Sequence, residues 1–207
     1  DTTRGPLNLC LTAIGEVTPG SALRRDGAHA GDLVWVSGRP GLAALGLAQI
    51  QEEIQLPAPW DRLCQIALEK PQPRVELGQA LVGIASAAID ISDGLLADLG
   101  HLATRSGLAA TLQLVQLPHL PKGEQYDADL RRRALACQLS GGDDYELCFT
   151  TPPEQHLAVT RIAAQLDLPL WCIGVMHTGP QGQILVMDPD GQPVEFGKKG
   201  FDHFGTP

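Results

Sequence analysis

Aromatic residues are scarce in this chain, at 4% of 207 positions, so aliphatic side chains and alanine must supply most of the packing. Positive charge is scarce too: 15 Lys and Arg stand against 24 Asp and Glu, for a formal net charge of -9. That balance argues against a nucleic-acid partner held on a basic surface. It leaves phosphorylated small molecules open, because a bound divalent cation reverses the local sign of the field. No apolar run approaches the roughly 18–20 residues that cross a bilayer, so no membrane partner is expected. The five cysteines (Cys10, Cys64, Cys137, Cys148 and Cys172) contain no CxxC pair. Odd in number and dispersed, they read as reduced thiols of a cytoplasmic protein and not as a disulfide framework. The six histidines are equally scattered, which speaks against a zinc site. A nucleophile elbow, a Walker loop and a dinucleotide fingerprint are all absent.

What is present is enough to build a core: 43% of residues are hydrophobic. Alternation over residues 7–17 and a short apolar run at 33–36 suggest strands. Residues 42–54 and 60–69 have helical spacing, and the small apolar residues of 75–87 suggest a third helix. Ile89 and Ile91 fall in a short strand, and Ser92 is a good N-cap for a helix running to Arg105. Further strands are expected at 109–115, 145–150 and 171–175, and helices at 129–139 and 153–166. The turn Asp188-Pro189-Asp190-Gly191 predicts a hairpin between 184–187 and 194–196. Strands and helices mix without strict alternation, which favours an α+β or mixed α/β fold.

Two segments concentrate chemistry. In Ala88 to Leu95, A-I-D-I-S-D-G-L, a buried strand delivers Asp90 and Asp93 to its end beside a helix N-terminus. Carboxylates there suit Mg²⁺, while backbone N–H groups and Ser92 suit a phosphate. The plainer alternative is that Ser92 and Asp93 only cap the helix and Asp90 pairs with a surface cation. In Gly141 to Leu147, G-G-D-D-Y-E-L, two glycines permit close backbone approach and three carboxylates follow at once. A glycine turn with solvated acids is the alternative there. Weaker signals are Asp1-Thr2-Thr3-Arg4, the pair Arg24-Arg25 after a Pro-Gly turn, and the aromatic pair of Gly200 to Phe204, G-F-D-H-F.

Taken in order, Asp1 to Pro6, Pro73 to Gly78, Ala88 to Leu95, Gly141 to Leu147 and Gly200 to Phe204 resemble the landmarks of thiamine-monophosphate kinases. That family is part of a superfamily that includes aminoimidazole ribonucleotide synthetase and selenophosphate synthetase. The resemblance implies an AIR-synthetase-like C-terminal domain over residues 28–207. Residues 1–27 would then be the last strand and connector of an N-terminal ATP- and Mg-binding domain, most of which would precede Asp1.

The implied activity is ATP-dependent phosphorylation of thiamine phosphate to thiamine diphosphate by direct in-line transfer, with several Mg²⁺ ions and a homodimer. Position by position, Asp1, Asp90 and Asp93 resemble metal ligands, and Arg25 and Ser92 resemble ATP contacts. Asp143 stands where relatives commonly carry Glu and resembles a substrate-binding acid; Phe201 resembles an aromatic residue that lies against the thiamine moiety. No general base is assigned, since a phosphate acceptor is already ionised at neutral pH. The alternatives are another ATP-dependent synthetase of the superfamily, of the aminoimidazole ribonucleotide or selenophosphate type, and an inactive nucleotide-binding fragment.

Overall fold

Successive side chains of a strand point to opposite faces of a sheet, and here both faces are covered. The computed structural model describes residues 10–120 and 126–194. Within it, β1 (Leu33–Ser37) sends Val34 and Val36 into one apolar cluster and Trp35 into another. β1 pairs antiparallel with β4 (Glu146–Thr151) on one side and β5 (Leu170–His177) on the other. β2 (Ala87–Ile91) pairs antiparallel with β4, and β3 (Ala109–Gln113) with β5. β6 (Ile184–Met187) lies parallel to β3, so the six-stranded sheet is mixed, in the order β2-β4-β1-β5-β3-β6. The mixed α/β class read from the sequence is the class observed.

Among the described residues six α-helices accompany the sheet: α1 (Leu42–Ile50), α2 (Trp60–Glu69), α3 (Val75–Ala80), α4 (Leu95–Ser106), α5 (Ala128–Ser140) and α6 (His156–Gln165). On one face, Leu95, Leu99 and Leu102 of α4 and Leu139 of α5 pack on Ile89, Ile91, Cys148 and Ile173. On the other, Leu77 of α3 and Val159 and Ile162 of α6 pack on Trp35, Ala88 and Phe149. Each such side chain stabilises the fold by roughly 1.5–3 kcal/mol relative to exposure. Trp35 and Phe149 are cross-strand partners, stacked 6.3 Å apart with 8° between ring planes. Two of the few aromatic residues thus meet at the sheet's centre.

Two expectations change. The helix expected over 75–87 stops at Ala80: the chain turns through Gly83 (φ 76), and Ala87 and Ala88 join β2. A run of small apolar residues carries too little periodicity to separate the two. The strand expected over 7–17 is not formed where it is described, from Cys10 onward, and Leu11 and Ile14 are 94% and 95% exposed. A strand needs a partner, and among the described residues these have none. The hairpin after β6 closes through Val194 N–H to Val186 O at 2.8 Å; Glu195 and Phe196 lie outside the described residues.

One carboxylate ties the start of β4 to α1. Asp144, 9% exposed, accepts from Gly41 N at 2.6 Å and Ala43 N at 3.2 Å, at the N-terminus of α1. Burial pushes its carboxyl up to about 7, against the pull of the two N–H donors. The folded protein thus holds this proton more tightly than the unfolded chain, whose carboxyl keeps the ordinary value of 3.8. Stability from the neutral acid is full below that value and is lost as pH rises through about 7. Asp144→Asn does not titrate, and its single amide oxygen can accept only one of the two N–H bonds, a pH-independent cost. Relative to the parent it is expected to gain stability between pH 4 and pH 7, by about 1.4 kcal/mol per unit of pKa separation. Urea midpoints across that range check it; a difference between variant and parent that stays constant from pH 4 to pH 7 would show that the N–H donors keep Asp144 charged.

Candidate active site

The β2–β4 pairing continues past both strands into the two loops that the sequence singled out. Tyr145 N donates to Ile91 O at 2.8 Å, and Asp143 N to Ser92 O at 3.0 Å. This approach requires Gly142: a Cβ there would sit 2.3 Å from Ser92 O. It also holds Asp143 and Tyr145 at φ 66 and 51, in the left-handed region that non-glycine residues seldom adopt. Such strain concentrates where a loop must present particular side chains.

The loop after β2 is anchored by an acid the sequence reading passed over. Asp98 Oδ2 accepts from Ser92 N (2.9 Å), Asp93 N (3.0 Å) and Gly94 N (3.2 Å). Ser92 is therefore not the N-cap of α4, which begins after Gly94. One buried carboxylate reaches back to three donors, where a serine hydroxyl would satisfy one or two. Burial nevertheless raises the Asp98 carboxyl above its ordinary value, opposed by the Asp93 and Ser92 N–H bonds. The hydroxyl of Ser92 and the carboxylate of Asp93 are left for other work.

The three acids of G-G-D-D-Y-E-L divide in the same way. Asp144 caps α1, and Glu146 is buried against Arg74 and Ser37. Only Asp143 is exposed.

The paired loops form a wall between two clefts. The larger, about 1030 Å³, is lined by Arg24, Arg25, Arg74, Arg105, Asp26 and Asp90, with an apolar floor that includes Leu23, Ala88 and Leu147. Four arginines against two aspartates leave a formal +2 on a chain of net -9. The segment bearing Arg25 is fixed by three contacts. Ala88 N donates to Arg24 O (2.9 Å), Ser106 Oγ donates to Arg25 O (3.2 Å), and Gly27 leaves no room for a Cβ, which would lie 2.1 Å from Ser86 O. Arg24 is held by Asp26, whose carboxyl the guanidinium lowers. Arg25 has no ion-pair partner among the described residues, so its charge is available to a ligand.

The smaller cleft, about 460 Å³, is lined by Ser92, Asp93, Gly142, Asp143 and Arg133, over Ala44, Leu47 and Ala48 of α1.

The residues expected from the sequence are thus distributed. Arg25 and Asp90 line the larger cleft, and Ser92, Asp93 and Asp143 the smaller. Asp1 and Phe201 lie outside the described residues. Arg74, Arg105 and Asp98 were not singled out. Asp98 does carry a signal, an acid in the first turn of a helix. Arg105 carries none.

The fit to Mg²⁺ is limited but consistent. Among the described residues no group of three His, Cys, Asp or Glu side chains could enclose a cation. The carboxylates of Asp90 and Asp93 have no hydrogen-bond or ion-pair partner among those residues. Mg²⁺ commonly takes only one or two carboxylates and completes its shell with water and substrate phosphate. Two free carboxylates on either side of one loop match that habit better than a preformed cage.

The chain and its fold resemble those of known proteins. The chain is 46% identical over 213 residues to a thiamine-monophosphate kinase of Salmonella typhimurium (strain LT2), a match covering 100% of this chain and 63% of the relative. The crystal structure of thiamine-monophosphate kinase from Stenotrophomonas maltophilia K279a superposes with a TM-score of 0.74 at 43% identity, over 86% of this chain and 56% of that one. The structure of AaThiL complexed with AMPPCP and TMP superposes with a TM-score of 0.66 at 31% identity, over 88% of this chain and 54% of that one. The chain spans about 63% of the length of the curated relatives it matches. A family model, AIR synthase related protein, C-terminal domain, matches residues 29–186, the stretch that carries nearly all of the sheet, the smaller cleft and the larger one's lining apart from Leu23 to Asp26, and the chain belongs to that family.

Proposed function

We propose that the protein carrying this chain transfers the γ-phosphoryl group of ATP to thiamine phosphate, giving thiamine diphosphate, and works as a cytoplasmic homodimer. The observation that carries this reading is the pair of clefts sharing one wall, one lined by arginines and the other by free carboxylates over an apolar floor. The likeness to thiamine-monophosphate kinases, and to a structure holding AMPPCP and TMP, supports the choice of substrates.

On this reading the larger cleft takes the nucleotide. Arg25 meets phosphate oxygens with a guanidinium that no acid of the described chain neutralises, and Leu23, Ala88 and Leu147 offer an apolar floor. Asp143 faces the acceptor in the smaller cleft, Ser92 at that cleft's edge meets ATP, and Phe201 lies against the thiamine ring. Asp90 and Asp93, with Asp1, hold Mg²⁺. The cation, when bound, offsets the repulsion between two anions that must meet in line. The chain's own task is positioning: two loops locked together by glycine contacts keep donor and acceptor on either side of Ser92. The acceptor oxygen is ionised already, so no side chain needs to remove a proton.

Release of ADP by the full-length protein, measured with thiamine phosphate and in parallel with aminoimidazole precursors, tests the reading. ADP release that depends on thiamine phosphate supports it; release with the precursors alone overturns it. Asp90→Asn keeps the shape of an exposed side chain and is expected to lower kcat roughly 10²–10³-fold with an unchanged melting temperature. Unchanged turnover would remove Asp90 from the metal site. Phe201→Ala is expected to raise KM for thiamine phosphate more than KM for ATP, and equal changes would count against ring stacking.

A further inference from the structure

Arg74 sits at the N-terminal edge of α3, in the Pro73 to Gly78 segment, to which neither the sequence reading nor the proposed function gives a role. Its Nε donates to Glu146 Oε2 at 2.6 Å and one terminal nitrogen to Oε1 at 2.5 Å, so one edge of the guanidinium is fully used. Ser37 Oγ donates to Glu146 Oε2 at 2.5 Å and accepts from Leu147 N at 2.9 Å, which fixes the carboxylate in turn. Gly38, at φ 58, makes room for this arrangement, since a Cβ there would lie 2.0 Å from the Glu146 carboxylate. Three elements (the end of β1, the start of β4 and the start of α3) therefore converge on one guanidinium.

Arg74 lines the larger cleft and Glu146 does not. The side chains are 22% and 10% exposed, so the acid stands behind the arginine. A planar guanidinium bound along one edge presents its remaining N–H donors from the opposite edge, in a fixed plane. Partly buried ion pairs are poor stabilisers, because desolvation offsets most of their attraction and an apolar pair often does as well. Orientation is what such a pair supplies.

We propose that Arg74 is a phosphate-binding residue of the larger cleft, with Glu146 and Ser37 as the positioning residues that aim its free edge at the polyphosphate of a bound nucleoside triphosphate. The assignment rests on the kinase reading for the nature of that ligand. Glu146 cancels Arg74's net charge, so the contribution is directional hydrogen bonding, distinct from the unpaired attraction of Arg25.

The test uses the protein at the full length of its relatives, with a non-hydrolysable ATP analogue and Mg²⁺ as the binding probe. Arg74→Lys keeps the charge and loses the fork; it is expected to weaken analogue binding roughly 10- to 100-fold, the range of a lost charge-assisted hydrogen bond. KM for ATP should rise in step while KM for thiamine phosphate stays within about twofold. The double variant Arg74→Gln/Glu146→Gln leaves no unpaired charge, keeps a neutral hydrogen-bonded pair, and should show the same loss with a near-parental melting temperature. Ser37→Ala should produce a smaller loss in the same direction. A folded double variant that binds the analogue with the parental Kd overturns the proposal, as does a fall in melting temperature with both KM values unchanged. A parent that binds no analogue overturns this assignment and the kinase reading together. A parent that binds it, loses it in the double variant, and never consumes thiamine phosphate overturns only the kinase reading.

Discussion

The docking of one glycine-bearing loop on another is the constraint from which the rest of this site follows. β2 and β4 are neighbours in the sheet, but their ladder would end at Ile91 and Glu146 if the loops beyond diverged. Gly142 lets the backbone of one loop come against Ser92 of the other, and two further hydrogen bonds carry the pairing outward. Gly94 is equally committed, at φ 118 with a would-be Cβ 2.8 Å from the Ser140 backbone. The candidate groups past the strands, Ser92 and Asp93 on one loop and Asp143 on the other, take their positions from that contact, while Asp90 is held by the ladder itself. A rigid wall built from backbone suits a reaction in which little more than placement is asked of the protein.

The division of labour among the acids follows from burial. A carboxylate with backbone N–H donors around it can stay inside; one without them is driven to the surface. Asp98 has three such donors, Asp144 has two, and Glu146 has a guanidinium and a hydroxyl, and all three are buried. Asp90 and Asp143 have none and are exposed. The structural acids and the candidate functional ones are interleaved in sequence, sometimes as immediate neighbours, because the loop's left-handed residues turn consecutive side chains in different directions.

That interleaving marks the limit of what the chain alone discloses. The mixed sheet, most helices and both key loops are legible, since alternation, helical spacing and glycine-acid clusters are local signals. The start of β2 is not, because Ala85 to Ala88 offers a pattern that helix and strand share, and pairing with β4 decides it. The expected capping of α4 by Ser92 does not form: a serine before a helical run resembles a cap, whereas Asp98, six positions later, takes the donors. Which acid of Asp143, Asp144 and Glu146 remains free depends on Gly41, Ala43 and Arg74, all distant in sequence. Spacing within the motif holds no trace of them.

Net charge illustrates the same limit from the opposite side. A chain at -9 suggests that phosphates are reached only through metals held by its acids. The larger cleft, however, gathers arginines from three separate stretches: Arg24 and Arg25 from the segment along β2, Arg74 from the start of α3 and Arg105 from the last turn of α4. Charges farther away than a Debye length, about 8 Å at physiological ionic strength, are screened where solvent intervenes. A ligand in the cleft therefore responds to the arginines lining it and only faintly to the acidic outer surface. The distant acids still repel anions from the rest of the molecule, which leaves the cleft as the favoured place for a polyphosphate to settle. Cations bound by Asp90 and Asp93 would then add to an attraction the arginines already supply, and need not create it.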